Sequence, residues 1–141
     1  MEEKKKYKVG YTTGVYDMFH IGHLNLLRKA KEQCEYLIVG VSTDDLVIKS
    51  KGHAPVIPYE ERREIVEAIK YVDKVVPQVD KNKFGAWEKY HFDAMFVGDD
   101  WKGKPIFVEA EAKLKEVGTD VVYFPYTKHI SSSQLREKIG K

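Results

Sequence analysis

The sequence predicts an α/β protein built on one open parallel sheet of about five strands, with helices on both faces. Three observations carry this prediction. The chain has 141 residues, enough for one domain with a substantial core. Five short apolar runs have the length of buried strands, and amphipathic segments lie between them. Because the runs are apolar throughout rather than at alternate positions, they are typical of a parallel sheet that helices cover on both sides.

The predicted strands and helices alternate along the chain. The five apolar runs are Val9–Thr12, Tyr36–Val41, Val72–Val76, Ala94–Val97 and Val121–Phe124. Two segments between them have apolar residues at helical spacing: Leu24, Leu27 and Ala30, and then Ile65, Ala68 and Ile69. The second helix begins near Tyr59, and a short last helix ends near Ile139. This order predicts a single-domain, Rossmann-like fold, in which ligands bind at the carboxyl ends of the strands.

Composition and charge exclude several classes of protein. The 24 Lys and Arg residues nearly balance the 22 Asp and Glu residues, and a net charge of +2 gives no basic surface for DNA or RNA. The single cysteine, Cys34, cannot form an intrachain disulfide or a thiolate zinc site. No apolar run is long enough for a membrane helix, and the charged residues 1–6 lack the apolar part of a secretion signal. We therefore expect one cytoplasmic domain over residues 1–141, with residues 1–6 frayed.

The most informative segment follows the first predicted strand and reads TTGVYDMFHIGH over residues 12–23. Gly14 can turn the backbone sharply, and Gly22 permits close passage near a helix start. We expect His20 and His23 to project from one face of the first helical turn, near the positive end of the helix dipole. There they can donate hydrogen bonds to a phosphoryl group. The alternatives are a coincidence of surface histidines or part of a zinc site.

A basic segment precedes the second helix. Residues 49–55, KSKGHAP, carry two lysines, a glycine and a proline, which predicts an exposed loop. On such a loop Lys49 and Lys51 can each place an ammonium against a separate anion, which orients two phosphates and offsets their repulsion. The alternative is a solvated loop with no ligand.

Two later segments end near the same predicted edge of the sheet. Asp99 and Asp100 directly follow a buried strand, where carboxylates can read the amino groups of a base, order a cation or simply cap a helix. Residues 131–133 are three serines before the last helix. Their hydroxyls and the free amides of a helix start can bind phosphates, or one serine can serve as an ordinary cap.

These motifs together resemble a known family. The run from Gly14 to Asp17 followed by His-Ile-Gly-His resembles the signature of the HxGH nucleotidyltransferases, and within them the cytidylyltransferases. Further blocks resemble the bacterial glycerol-3-phosphate cytidylyltransferases in order: Ser42–Leu46, Lys49–Gly52, Glu61–Arg63, Tyr71–Asp73, Gly98–Trp101 and Ile130–Ser133. The resemblance implies that CTP and a phosphate monoester, most of all sn-glycerol 3-phosphate, give CDP-glycerol and pyrophosphate by direct attack with Mg²⁺. It also implies a cell-envelope polymer pathway.

The resemblance implies a role for individual residues. It assigns catalysis to His20, His23 and Lys51. The nucleotide-binding residues it implies are Thr13, Gly14, Val15, Tyr16, His20, Gly22, His23, Lys51, Arg62, Asp99, Asp100, Thr127, Ile130, Ser131 and Ser132. The acceptor-binding residues it implies are Asp17, Lys49, Lys83 and Trp101. No protein ligand for a metal is expected, because Mg²⁺ would be held through the phosphates of CTP, and a homodimer is expected.

The sequence departs from the family pattern at three positions. Tyr126 and His129 replace an arginine and a glycine, which favours the alternative of an inactive nucleotide-binding module. Val15 replaces a threonine, which keeps phosphocholine and phosphoethanolamine open as acceptors. Trp87 and Tyr126 are candidates for contact with a quaternary ammonium, whereas Lys81 and Lys83 favour a neutral polyol phosphate. An adenylyltransferase of the same superfamily is a further alternative.

Overall fold

A computed structural model describes residues 5–125. One parallel sheet runs through these residues in the order β3-β2-β1-β4-β5. Its strands are β1 (Tyr7–Gly14), β2 (Cys34–Ser42), β3 (Lys74–Gln78), β4 (Ala94–Gly98) and β5 (Asp120–Phe124). The predicted fold class and all five strands are confirmed.

Within residues 5–125, five helices cover both faces of the sheet, and the predicted last helix near Ile139 lies outside these residues. They are α1 (Ile21–Gln33), α2 (Asp44–Lys51), α3 (Tyr59–Glu67), α4 (Lys83–Tyr90) and α5 (Pro105–Glu116). One core cluster joins Leu27 and Ala30 of α1 and Val66 of α3 to one face of the central strands. The second cluster joins Phe107 and Leu114 of α5 to the opposite face, with side chains of α4 packed beside them. No helix of residues 5–125 has the length and hydropathy to cross a membrane.

The strand order positions the functional crevice. From β1 the chain moves outward to β2 and β3, and it then returns to the other side of β1 to form β4 and β5. Connections therefore leave the carboxyl ends of β1 and β4 in opposite directions. Such a reversal opens a crevice between the two connections, which is the usual ligand site of an open α/β sheet.

Several predicted boundaries differ from the structure. The third strand begins at Lys74 rather than Val72, because the Val72 amide donates to the carbonyl of Ile69 in a turn. Val72 packs against the core from that turn, so its apolar character reflects burial and not strand pairing. Helix α3 ends at Glu67, before Ala68 and Ile69. At the amino end, Lys5 is held by a hydrogen bond from its Nζ to the carbonyl of Lys31.

The basic loop prediction is wrong in its first half. Lys49 and Lys51 lie in the last turn of α2, whose buried residues are Leu46 and Val47. Thr43 caps the start of this helix by accepting a hydrogen bond from the Leu46 amide at 3.2 Å. Gly52, with φ of 79°, ends it in the left-handed conformation that glycine adopts without strain. The loop proper therefore begins only after Gly52.

Candidate active site

A cavity of about 450 Å³ opens at the carboxyl ends of the strands. Residues from the ends of all five strands and from α1 line it, as the fold predicts. The predicted site residues among its lining are Thr13, Gly14, Val15, Tyr16, Asp17, His20, Gly22, His23, Lys51, Lys83 and Trp101. Lys81 also lines the cavity. Most of the predicted site is thus brought to one place.

The loop after β1 makes its turn differently from the prediction. Gly14 does not adopt the left-handed conformation; Tyr16 and Met18 do, with φ of 55° and 48°. Non-glycine residues adopt this conformation rarely and at a cost that surrounding contacts must offset. Gly14 is instead required for space, because a Cβ atom there would lie 2.9 Å from the ring of buried Tyr16. The backbone of the loop therefore sits directly on this ring.

His20 and His23 lie together, although not both within the helix. His20 is the N-cap of α1, with extended backbone, so the prediction that both histidines belong to the first turn is wrong for His20. Its Nδ1 accepts a hydrogen bond from the Gly22 amide at 3.1 Å, and Nδ1 of His23 accepts one from the His20 amide at 3.2 Å. The two rings stack with centroids 3.9 Å apart. The pair forms a capping box made of histidines.

These hydrogen bonds define the protonation of both rings. A nitrogen that accepts from a backbone N–H carries no proton, so a neutral ring holds its proton on Nε2. Burial lowers the pKa of His20, and burial together with the neighbouring His20 lowers the pKa of His23 to about 3. Both imidazoles are therefore neutral near pH 7. Their Nε2–H groups are left to donate to a ligand at the amino end of α1, where the helix dipole also favours an anion.

Among the described residues, four lysines bring positive charge to the cavity: Lys29, Lys51, Lys81 and Lys83. Lys83 is only 7% exposed, and its Nζ lies 3.4 Å from Oγ1 of Thr13 at the end of β1. Burial and the charge of Lys81 lower the pKa of Lys83 to about 8. Lys51 and Lys81 line the cavity with exposed side chains. Lys49 is not part of the lining, because residues two apart on a helix point to different sides.

Two predicted ligand residues are engaged by the protein itself. The carboxylate of buried Asp17 accepts hydrogen bonds from the amides of Val56 and Ile57, both at 2.8 Å. Asp17 nonetheless lines the cavity. Its main-chain partners explain the burial of an acidic side chain, since a buried carboxylate requires donors. The structure therefore shows that Asp17 positions the segment of Val56 and Ile57. The predicted contact of Asp17 with the acceptor stays a prediction.

Arg62 is 1% exposed and does not line the cavity. Its Nη1 donates to the carbonyls of Val15 and Ser42 at 2.7 Å, and its Nε donates to the Ile57 carbonyl. Its Nη2 donates to Asp44 at 2.7 Å. The guanidinium thus joins the loop after β1 to α2 and α3. Its predicted contact with the nucleotide stays a prediction, since the hydrogen bonds of this guanidinium join protein segments.

The wall beside β4 and β5 is largely apolar. Asp99 and Trp101 lie in a short turn of 3₁₀-helix that follows β4, with Asp100 between them in the chain. Trp101 lines the cavity with Gly98, while Asp99 is exposed and not part of the lining. Phe107 packs against Trp101 with ring centroids 5.5 Å apart. A planar, partly apolar base fits this side better than a phosphate does.

Some predicted residues lie outside the described part of the chain, namely Thr127, Ile130, Ser131 and Ser132, together with Tyr126 and His129. Trp87 is described, but it packs against Phe84 and His91 and is not part of the cavity lining, so its predicted contact with a cationic headgroup is not supported.

The sequence reasoning missed four polar residues of the lining: Asn25, Lys29, Ser42 and Gln78. Ser42 and Gln78 are the last residues of β2 and β3. Their position at strand ends was the signal that could have found them, because ligand sites of parallel sheets gather there. The third strand was predicted to end at Val76, which left Gln78 in a loop.

An open parallel sheet with neutral histidines at a helix start and lysines around a common cavity defines an α/β protein built to bind nucleotide phosphates. The family model described as cytidylyltransferase-like matches residues 11–138, and the chain belongs to this family. The chain is 40% identical over 132 residues to glycerol-3-phosphate cytidylyltransferase of Bacillus spizizenii, covering 92% of this chain and 95% of that protein.

A second curated relative and a solved structure agree. Glycerol-3-phosphate cytidylyltransferase of Bacillus subtilis is 36% identical over 136 residues, covering 92% of this chain and 95% of that protein. The crystal structure of the lipopolysaccharide core biosynthesis protein from Thermoplasma volcanium superposes with a TM-score of 0.71 at 22% identity. The superposition covers 88% of this chain and 99% of that protein's chain. At this identity it shows a similarity of fold alone.

Proposed function

We propose that this protein transfers the cytidylyl group of CTP to sn-glycerol 3-phosphate and forms CDP-glycerol and pyrophosphate. The observation that carries the proposal is the pair of neutral histidines, each with Nδ1 occupied and Nε2–H available, beside the lysines of the cavity. Fixed donors at a helix start stabilise charge that develops on phosphoryl oxygens. Family membership and the relatives' activity support CTP as the nucleotide.

In this reaction a phosphate oxygen of the acceptor attacks the α-phosphorus of CTP in line, and the bond to the bridging oxygen of pyrophosphate breaks. The Nε2–H groups of His20 and His23 donate to the non-bridging oxygens of that phosphorus as charge accumulates there. The ammonium of Lys51 offsets the charge of the nucleotide phosphates. Lys83 and Lys81 hold the acceptor phosphate, so that two anions are kept close in one orientation.

Mg²⁺ is the proposed cofactor, held through the phosphates of CTP. Among residues 5–125 there is no group of three or more His, Cys, Asp or Glu side chains suited to a metal ion. Mg²⁺ commonly keeps most of its own water and binds through the phosphates of a substrate. When bound, the ion neutralises charge on the triphosphate and on the departing pyrophosphate.

Glycerol 3-phosphate is favoured over phosphocholine and phosphoethanolamine by the charges near the proposed acceptor side. Lys81 and Lys83 both line the cavity there, and the charge of Lys81 already lowers the pKa of Lys83. Both ammonium groups would repel a further positive charge on the acceptor. A neutral polyol avoids this repulsion, whereas an ammonium headgroup does not. The two curated relatives described above act on glycerol 3-phosphate by name.

The decisive experiment measures pyrophosphate release with Mg²⁺, each of CTP and ATP, and each of glycerol 3-phosphate, phosphocholine, phosphoethanolamine and a sugar phosphate. We expect release with CTP and glycerol 3-phosphate. Replacing His23 with Ala should lower kcat at least a hundredfold, while the same change at exposed His53, which is outside the cavity, leaves it unaltered. Faster turnover of ATP supports an adenylyltransferase, and CTP binding without turnover supports an inactive module.

We also propose that the protein is a cytoplasmic homodimer and that residues 1–141 form one functional domain, as the family resemblance implies. Light scattering on the purified protein measures the mass in solution, and a mass twice that of the 16.3 kDa chain is expected. A monomeric mass with full activity would contradict the dimer.

A further inference from the structure

A buried polar pair forms the floor of the cavity on its β2–β3 side. Ser42 and Gln78 are the last residues of these strands and lie opposite each other in the sheet. They are 5% and 8% exposed, and both line the cavity. Neither has a part in the proposed chemistry. Buried polar side chains at a ligand site cost free energy unless they are hydrogen-bonded, so their partners are informative.

The pair fixes the orientation of the Gln78 amide. The hydroxyl of Ser42 donates to the side-chain Oε1 of Gln78 at 2.8 Å. The main-chain carbonyl of Gln78 accepts a hydrogen bond from the main-chain amide of Thr43 at 3.1 Å. With Oε1 held by Ser42, the Nε2 group points away from Ser42. This nitrogen has no hydrogen-bond partner among residues 5–125, and it carries two N–H donors. Gln78 thus brings two unused donors to the lining of a cavity that four lysines also line.

The position of Gln78 separates it from the nucleoside side. In the strand order, the histidine pair follows β1, the apolar wall with Trp101 and Phe107 belongs to β4 and α5, and Gln78 ends β3. The leaving group is pyrophosphate, and the acceptor must lie opposite it across the reacting phosphorus. A base against the apolar wall lies away from Gln78, so the β2–β3 side remains open to the acceptor. Lys81 and Lys83 line the cavity only a few residues further along the chain.

We propose that the Gln78 carboxamide, oriented by Ser42, donates hydrogen bonds to the hydroxyl oxygens of the acceptor and so selects a neutral polyol phosphate. This inference rests on the proposed cytidylyl transfer. Hydroxyl oxygens accept hydrogen bonds, whereas an ammonium group offers only donors and would leave the Gln78 donors unmatched. The charged groups that line this side are Lys51, Lys81 and Lys83, with the Asp17 carboxylate held by Val56 and Ile57.

The test replaces Gln78 with Glu, which has the same shape and retains an oxygen for the Ser42 hydroxyl. In steady-state assays with saturating CTP, we expect kcat/KM for glycerol 3-phosphate to fall at least tenfold, mainly through KM, with KM for CTP unchanged. The ratio of phosphoethanolamine to glycerol 3-phosphate turnover should rise, because the new carboxylate attracts an ammonium. A Gln78→Ala variant should lose roughly fivefold in kcat/KM without this rise.

Gln33→Ala is the matched control, since Gln33 ends α1 and lies outside the cavity. It should leave all constants unaltered, and thermal unfolding of every variant verifies the fold. Unchanged glycerol 3-phosphate kinetics in Gln78→Glu would overturn the inference while cytidylyl transfer stands. A wild-type preference for phosphoethanolamine would do the same. Absence of pyrophosphate release from the wild type with any acceptor would remove both the proposed function and the inference.

Discussion

Lys83 combines burial with a positive charge at the point where the acceptor phosphate is proposed to bind. Its pKa is lowered from 10.5 to about 8, mainly by burial. It is therefore largely protonated at pH 7 and loses its proton as the pH rises through about 8. A bound phosphate would favour the protonated form, which is the form that the reaction requires. The residue thus links acceptor binding to pH.

The first prediction concerns this pH dependence. The kcat/KM for the acceptor should fall about tenfold per unit above pH 8, because the free enzyme then loses the Lys83 charge. No loss from His23 is expected between pH 5.5 and 7.5, because its pKa is about 3 and it stays neutral throughout. Initial rates at limiting acceptor from pH 5.5 to 9.5 measure both windows. A flat profile above pH 8 would refute the role of Lys83.

A second prediction separates the effect of Lys83 on the stability of the protein from its effect on activity. Burial penalises the charged form, and the shift from 10.5 to about 8 corresponds to roughly 3 kcal/mol. The penalty is complete below pH 8, where both folded and unfolded chains are protonated, and it disappears as the pH rises to 10.5. Lys83→Met should therefore raise the free energy of unfolding by up to about 3 kcal/mol at pH 7, and much less at pH 10.

Denaturant unfolding at both pH values measures this effect, with kcat/KM determined on the same samples. Activity should fall at least tenfold while stability increases. Lys113→Met serves as the control, because Lys113 is exposed on α5 and pairs with Glu109 on the surface. A loss of stability in Lys83→Met at pH 7 would contradict the penalty.

At the scale of elements, α1 begins with a cap that is also a ligand site. The Nδ1 atoms of His20 and His23 complete the capping box, and their Nε2 atoms remain for the phosphoryl group. The sequence predicted the histidine pair and the helix that begins beside it. It did not predict that His20 stands outside the helix, because helical spacing cannot distinguish a cap from a first-turn residue.

The third prediction separates the effect of the His20 cap on stability from its effect on catalysis. Asn is among the best N-cap residues, so His20→Asn should keep the free energy of unfolding within about 0.5 kcal/mol of the wild type. It removes the Nε2 donor, so kcat should fall at least a hundredfold. His20→Ala should lose both the activity and about 1 kcal/mol of stability. Chemical unfolding and pyrophosphate release measure the two effects, and near-normal kcat in His20→Asn would contradict the assignment.

Helices α2 and α3 depend on Arg62 for their attachment to β1. Replacing Arg62 with Met leaves the carbonyls of Val15, Ser42 and Ile57 without their donors and should cost about 3–5 kcal/mol of stability. Arg63 is the matched control, since it pairs with Glu67 on the surface, and Arg63→Met should cost less than about 0.5 kcal/mol. Urea unfolding compares them. Equal effects would contradict the role of Arg62.

The contrast between these neighbours shows where sequence reasoning stops. Two arginines in succession on a charged helix look alike, and only the packing of α3 decides that Arg62 points inward. The family resemblance assigned Arg62 to the nucleotide, whereas the structure shows its donors used by main-chain carbonyls and Asp44. Local spacing predicts elements, but the partners of a long side chain depend on distant segments.

For the whole molecule, the parallel sheet and the cavity at the strand ends followed from the alternation of apolar runs and amphipathic segments, whereas the strand order came only from the structure. The lining could be predicted in the loop after β1, where the motif is continuous. Gln78 and Ser42 were missed because they come together only through pairing of β2 and β3. Lys49 and Lys51 both lie in helix α2, and only Lys51 lines the cavity. The lysine-rich segment did not reveal this helix.

The last prediction concerns the metal. A chelator should leave the unfolding temperature of the ligand-free protein unchanged, because residues 5–125 hold no cluster of metal ligands. It should abolish pyrophosphate release and most of the stabilisation by CTP, which with Mg²⁺ amounts to about 2.7 kcal/mol at one hundred times Kd. Differential scanning fluorimetry with and without EDTA measures this, and added Mg²⁺ should restore both effects. Destabilisation of the ligand-free protein by EDTA would reveal a resident ion.

The anchoring of the 44–62 segment has a consequence for how this family can diversify. Asp17 fixes the amides of Val56 and Ile57, and Gly52 ends α2 just before them. The stretch from residue 52 to 55 is therefore an exposed bridge between two fixed points. Extra residues inserted there cost little, about 0.6 kcal/mol for each doubling of loop length. The chain of a family member can thus be lengthened at this bridge while the histidine pair stays in place.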